Sequence, residues 1–188
     1  MIKIGITGSI ASGKTTASKI LSYRKGPLFS ADNEVQKIYK NNDFKKLLIK
    51  KFKIKKKLNL KHLLKEKIYK NKNNIKKLER IIHPMVRKKM INFSIAHKEK
   101  NKTFYEIPLL IENKLMKYFD IIIFIKAKKK LRLKRFQNKG GGRKLFNILN
   151  GKQLSDKKKI RFSDHVIVNE KNLNILKKNL LGIMKLYV

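Results

Sequence analysis

Eight residues, Gly8-Ser9-Ile10-Ala11-Ser12-Gly13-Lys14-Thr15, constrain this chain more than any other stretch. Two glycines five apart, followed by Lys and Thr, make the phosphate-binding loop pattern, and both flanks suit it. Residues 1–7 place Ile2, Ile4 and Ile6 on one face, which predicts a short strand. Lys14 to Leu21 carries helix formers and no breaker, so the loop opens a helix. Backbone N–H groups of such a loop surround phosphate oxygens at the positive end of the helix. In that arrangement Lys14 reaches the β- and γ-phosphates and the Thr15 hydroxyl holds Mg²⁺. The stretch predicts a nucleotide-phosphate site running from Gly8 to Thr16.

The remaining apolar runs predict a parallel sheet behind that loop. Leu28-Phe29 reads as a short buried strand ending at Ser30-Ala31-Asp32, with a helix following from about Asn33 to Lys40. Asp32 thereby stands at the carboxyl end of a strand, where open α/β sheets place ligands. The same position suits a helix N-cap, and position alone leaves both readings open. Thr103–Ile107 is the third strand, its end bracketed by Glu106 and Glu112. The run Asp120–Ile125 is expected to be covered on both faces. His165–Val168 is the last strand, and Asn172–Leu186 closes the chain as an amphipathic helix. Five apolar strands separated by helices predict an α/β fold with a five-stranded parallel sheet flanked by helices.

Two segments depart from that alternation. Between Asn41 and Lys102 no strand is evident. Phe44, Leu47 and Leu48, then Leu60, Leu63, Leu64 and Ile68, then Ile75, Leu78, Ile81 and Ile82 recur at helical spacing. This predicts a helical insertion at 41–102, with Lys50–Lys57 joining its first two helices. Pro84 disfavours helical torsions at His83, so a kink or boundary is expected there. The second segment, 128–162, begins with a helix at Lys128–Gln137 carrying Arg132 and Arg135. Gly140-Gly141-Gly142 and Arg143 follow, and a short helix is expected within Gln153–Phe162. A basic helix, glycines and a further basic residue suit a lid that closes on phosphates. The expected organisation is one domain, with a core at 1–40, 103–127 and 163–188.

Composition narrows the partners. The formal net charge is +38, with 43 Lys against 7 Arg. A field of that strength attracts polyanions. Yet lysines are spread over nearly every segment, and arginine is the side chain that phosphate and base readout favour. Compositional drift is the preferred explanation, leaving non-specific polyanion binding open and no specific nucleic-acid partner expected. No cysteine is present, and four histidines are scattered, which excludes disulfides, thiolate catalysis and Cys-based zinc sites. No apolar run reaches about 18 residues, so no membrane span is expected. The first residues read as strand and loop rather than signal peptide, giving the expectation of a cytoplasmic protein, monomeric or a small homo-oligomer.

Several motifs together resemble the dephospho-coenzyme A kinase family, nearly end to end. They are Ile4-Gly5-Ile6-Thr7-Gly8 with its loop, and Ser30-Ala31-Asp32 where the family shows Asp-Ala-Asp. Leu78-Glu79 with His83-Pro84 follows, then Pro108-Leu109-Leu110-Ile111-Glu112. Gln153, Lys159, Ser163-Asp164 and Asn169 complete the set. The resemblance implies transfer of the γ-phosphoryl group of ATP to the ribose 3′-hydroxyl of dephospho-coenzyme A, with Mg²⁺. It implies Asp32 as catalytic base with Lys14 beside the phosphates. His83, Arg87, Leu109 and Glu112 would line the acceptor side, and Arg135, Lys139 and Asn169 would join the loop around ATP. Ser30 replaces an Asp of the family pattern and Lys139 an Arg, while the Gly140–Gly142 run and an extra residue before Gln153 imply a loosened lid. An active but slow enzyme is the expectation. Another small-molecule kinase, acting on nucleosides or nucleotides, would share the same phosphate chemistry. A basic nucleic-acid-binding protein with a vestigial loop would bind steeply with salt and turn nothing over.

Overall fold

The central strand is β1 (Ile2–Gly8), whose inner residues are buried on both faces of a five-stranded sheet. The computed structural model describes residues 1–54, 60–71 and 73–187. Part of the lysine-rich link, 55–57, lies outside the described residues, as does the side chain of Ile68. β1 pairs in parallel with β3 (Lys102–Glu106) on one side and β4 (Ile121–Lys126) on the other. β2 (Leu28–Ser30) borders β3, and β5 (His165–Val168) borders β4, giving the order β2-β3-β1-β4-β5 with every pair parallel. Ile4 sits between Phe104 and Ile121, and Ile6 between Glu106 and Ile123. Because β1 is central, its carboxyl end opens at the middle of the sheet edge where such folds bind ligands.

Two helices cover the β1 region. α1 (Lys14–Ser22) buries Ala17, Ser18 and Leu21, and α9 (Leu173–Lys185) buries Leu176, Leu180 and Met184. The spacing of four in α9 lays one apolar stripe along the sheet. Asn172 caps α9, its side chain accepting a hydrogen bond from the Ile175 N–H at 3.0 Å. With Ile4, Ile6, Ile123 and Ile125 these side chains form one core cluster. Each large aliphatic buried there contributes about 1.5–3 kcal/mol.

The chain divides into two compact units, Met1–Ser30 with Ala96–Val188, and Ala31–Ile95. The second unit holds α2 (Ala31–Lys40), α3 (Asn42–Phe52), α4 (Leu60–Lys70) and most of α5 (Asn73–Ala96). Ile38, Phe44, Leu48, Phe52, Leu64 and Ile82 form its own core. Tyr39 meets Phe44 edge-on at 5.4 Å, and burial pushes the Tyr39 hydroxyl pKa up.

Three local expectations are revised. α2 begins at Ala31, directly after β2 with no intervening loop, so Asp32 lies inside the first helical turn rather than capping it. A carboxylate there still complements the helix dipole. α5 runs unbroken for 24 residues with Pro84 inside it, so no helix boundary forms at His83. Proline removes one intrahelical donor, and burial of Ile82 and Met90 on either side holds the helix through that loss. After the glycines, residues 143–151 form a helix, α7 (Arg143–Gly151), that follows α6 (Lys129–Gln137). The short helix expected within 153–162 is α8 (Asp156–Ile160), capped by Ser155.

Candidate active site

The sequence builds the loop by placing residues without side-chain bulk where backbone closes on backbone. A Cβ on Gly8 would stand 2.5 Å from Ser12 Oγ and 2.8 Å from the Ile125 carbonyl oxygen. Gly13 adopts φ 94°, and a Cβ there would lie 2.1 Å from Asn169 Nδ2. Ala11 also takes a positive φ of 58°. Left-handed residues alternating with ordinary ones turn successive N–H groups to one side, forming an anion nest at the start of α1. Ser12 is buried, and its Oγ has no hydrogen-bond partner among the described residues.

Turning the N–H groups inward sends carbonyls outward, where they need donors. The Ser12 carbonyl accepts from Asn169 Nδ2 at 2.8 Å and from Arg135 Nη1 at 3.4 Å. The Ile10 carbonyl accepts from Arg132 Nη1 at 3.3 Å, while the Ile10 N–H donates to Gln153 Oε1 at 2.8 Å. Ser9 Oγ donates to Asp156 Oδ1 at 2.6 Å. The loop is thus braced from behind by side chains of the 129–169 segment.

Beside the loop lies a pocket of about 500 Å³ whose lining includes Lys14, Thr15, Thr16, Arg135, Lys139 and Asn169. The Thr15 hydroxyl, from a residue of that lining, donates to Glu106 Oε1 at 2.5 Å, and Glu106, the last residue of β3, is 3% exposed. An alcohol and a carboxylate are the hard oxygen donors that Mg²⁺ takes, and Mg²⁺ needs only one or two such protein ligands. Among the described residues no group of three or more His, Asp or Glu could hold a metal. The donor set therefore fits a Mg²⁺ carried largely by water and phosphate.

The acceptor-side expectations divide between the two units. Leu109 and Glu112 lie on the turns after β3, where the Pro108 carbonyl accepts from Thr7 Oγ1 at 3.2 Å. Glu112 Oε1 pairs with Lys159 Nζ at 2.7 Å and accepts from the Leu154 N–H at 3.1 Å. Asp32, His83 and Arg87 belong to the helical unit. Asp32 is exposed in the first turn of α2, directly after β2 in the chain. His83 is half-buried and Arg87 exposed, four residues apart and so on one face of α5.

Four further side chains shape the site without having been singled out for it by sequence. Glu106 was visible only as a carboxylate at a strand end, and Gln153 only as part of a spacing pattern. Asp156 is the first residue of a short helix, a placement that acidic residues favour for helix reasons alone. Arg132 was visible only as one cation of the lid helix, among five other basic residues between Lys128 and Arg135, with nothing to mark it as the buried one.

Comparison with known proteins agrees with this geometry. A family model described as dephospho-CoA kinase matches residues 2–174. The chain is 33% identical over 192 residues to the dephospho-CoA kinase of Rickettsia typhi, covering 98% of this chain and 97% of that protein. It is 31% identical over 188 residues to the enzyme of that name from Bartonella henselae, covering 97% and 96%. Among solved structures, dephospho-CoA kinase from Campylobacter jejuni superposes with a TM-score of 0.71 at 26% identity, covering 97% of this chain and 95% of that one. A phosphate loop on the central strand of a parallel sheet, in a chain that matches these relatives over nearly its whole length, places it among the kinases that take phosphate from ATP: it belongs to the dephospho-CoA kinase family.

Proposed function

We propose that this chain transfers the γ-phosphoryl group of ATP to the ribose 3′-hydroxyl of dephospho-coenzyme A, with the residues named above in distinct roles. The observation that carries the reading is the braced loop, its N–H groups facing a pocket shared by Lys14, Thr15, Arg135, Lys139 and Asn169. Phosphoryl transfer asks mainly for positioning and for neutralisation of charge on the transferred group. Gly8 to Thr16 hold the phosphates through backbone N–H groups, and the Ser12 hydroxyl is available to a phosphate oxygen. Lys14 contacts the β- and γ-phosphates. Arg135 and Lys139 close over them, Arg135 with a planar fork and Lys139 as a point charge.

Thr15 Oγ1 and the Glu106 carboxylate would hold Mg²⁺, directly or through its water. The ion, when bound, neutralises charge developing between the β- and γ-phosphates. On the acceptor side Asp32 takes the proton from the 3′-hydroxyl as the oxygen attacks phosphorus in line and ADP leaves. His83, Arg87, Leu109 and Glu112 position the acceptor, the Arg87 guanidinium suiting its phosphate groups and the His83 ring offering a hydrogen bond. The helical unit is its binding element, and the α6–α8 segment is the lid. The protein is proposed to work in the cytoplasm as a monomer or small homo-oligomer.

A coupled ADP-release assay on wild type and Asp32→Asn, with ATP affinity measured in parallel, tests this reading. Wild type should form CoA only with ATP and Mg²⁺. Asp32→Asn should lose at least about 100-fold in kcat while keeping ATP affinity, the usual scale for a general base. A wild type that prefers a nucleoside or mononucleotide over dephospho-coenzyme A removes the acceptor assignment. An undiminished Asp32→Asn rate removes the base.

A further inference from the structure

Arg132 is a guanidinium in a place where charge is expensive. It lies on α6 between two leucines, is 5% exposed, and reaches three separate pieces of chain. Nε donates to the Ala127 carbonyl at 3.0 Å, at the end of β4. Nη1 donates to the Ile10 carbonyl in the phosphate loop at 3.3 Å and to Asn150 Oδ1 on α7 at 2.8 Å. Its Cζ lies 5.7 Å from the Phe146 ring centroid, and Phe146 in turn packs on Phe136. Burial pushes the Arg132 pKa down, and the Asp156 carboxylate opposes that shift. Arginine nonetheless remains charged at any working pH.

We infer that Arg132 is a positioning residue for ATP, acting through Ile10 and linking the lid helices to the phosphate loop. The inference rests on the loop's role under the proposed function. Both backbone polar groups of Ile10 are held by side chains from the segment after β4, the N–H by Gln153 and the carbonyl by Arg132. Ser9, the preceding residue, is held by Asp156. Ile10 immediately precedes the positive-φ residue Ala11, where the chain turns its N–H groups toward the phosphates. With its carbonyl fixed, the following amides keep their direction before nucleotide arrives, so less ordering is left for binding to supply. Through Asn150 and Phe146 the same guanidinium carries α7, so lid position and loop shape are coupled at one side chain. Its donors are directed at the carbonyl side of the loop, away from the face that receives phosphate, so it acts on ATP only through Ile10.

The test measures Mg²⁺-ATP affinity by calorimetric titration of the full chain without acceptor, for wild type, Arg132→Gln, Arg132→Lys and Asn150→Ala. Arg132→Gln should weaken ATP by about tenfold or more, as loss of a charge-assisted bond that orders a site implies. Arg132→Lys, which keeps the charge but not the fork, should fall in between, at about threefold to tenfold. Asn150→Ala breaks only the link to α7, so ATP affinity should stay within about threefold even where thermal stability drops. The KM for dephospho-coenzyme A should remain within about twofold for the lysine variant, since it is a binding term for the other substrate. ATP affinity within twofold of wild type in Arg132→Gln overturns the inference, and so does an Asn150→Ala loss as large as that of Arg132→Gln. Should the glutamine variant not fold, an unchanged ATP affinity in Arg132→Lys overturns it equally. A wild type that binds ATP but phosphorylates a different acceptor sinks the acceptor assignment alone, because these affinities are read without acceptor.

Discussion

Replacing Lys159 with Met separates charge from packing at one buried contact. Lys159 is 0% exposed in α8, and its Nζ lies 2.7 Å from Glu112 Oε1, whose side chain is 13% exposed. The contact is ionic rather than well aligned, since among the described residues Nζ has no directed hydrogen-bond acceptor and Glu112 Oε2 is buried without a partner. Met fills the volume of the lysine stem, so little cavity forms. What changes is that a largely buried carboxylate keeps its hydrogen bond from the Leu154 N–H at 3.1 Å and loses its counter-charge. Breaking a buried pair from one side costs about 3–5 kcal/mol, and the imperfect alignment places this pair near about 3 kcal/mol. For a chain of this length that loss lowers the melting temperature by about 6–12 °C. Urea unfolding followed by far-UV circular dichroism suits a chain without tryptophan. The double variant Lys159→Met with Glu112→Gln should recover most of the loss, because a neutral amide still accepts from Leu154 and carries no charge to desolvate. A single variant within about 1 kcal/mol of wild type, or a double variant no better than the single, would refute the reasoning.

Gly13→Ala should lose ATP affinity by at least about tenfold, since the left-handed φ is strained for any L side chain and the new Cβ meets Asn169 Nδ2 at 2.1 Å. Calorimetric titration checks it, and wild-type affinity would show that the loop yields where the structure makes it rigid. Tyr39 contributes a pH-dependent part of the helical unit's stability at alkaline pH. Its pKa is raised by burial, so the unfolded chain ionises first, near pH 10. The stabilisation is complete below that pH and declines as pH rises toward the folded pKa. The difference in unfolding free energy between wild type and Tyr39→Phe should therefore be flat to about pH 9 and shrink above about pH 10. A difference that grows with pH there would contradict the assignment.

Local patterns made the phosphate loop and its frame legible. The strand, glycines and helix around Gly8–Thr15 are contiguous, so their geometry follows from nearest-neighbour torsions and from N–H groups that must be aimed somewhere. The isoleucine run before Lys126 announced a strand buried on both faces, and the amphipathic pattern of 172–186 announced the helix whose Leu176, Leu180 and Met184 are buried in the structure. α7 was obscured because its apolar residues follow three glycines that read as open loop, and only the packing of Phe146 on Phe136 and Arg132 shows the segment as ordered helix. Of the kink or boundary expected at His83-Pro84, the boundary does not form, for a related reason. Proline's local penalty is a few kcal/mol, about what burial of flanking apolar residues recovers.

By itself, then, the sequence predicted a phosphate-binding loop at the end of the first strand, with Lys14 and Thr15 at the start of the helix it opens. These are short-range facts, written in residues within a turn of one another. Only the tertiary structure decided what stands behind the loop: Arg132, Gln153, Asp156 and Asn169, more than 100 residues away in the chain, each held to a particular atom of Ser9, Ile10 or Ser12. The same is true of Glu106 against Thr15 and Lys159 against Glu112. A lysine among 43 lysines carries no local mark of being the buried one. Burial is a property of the packed chain, and so is the partner that makes a buried charge tolerable.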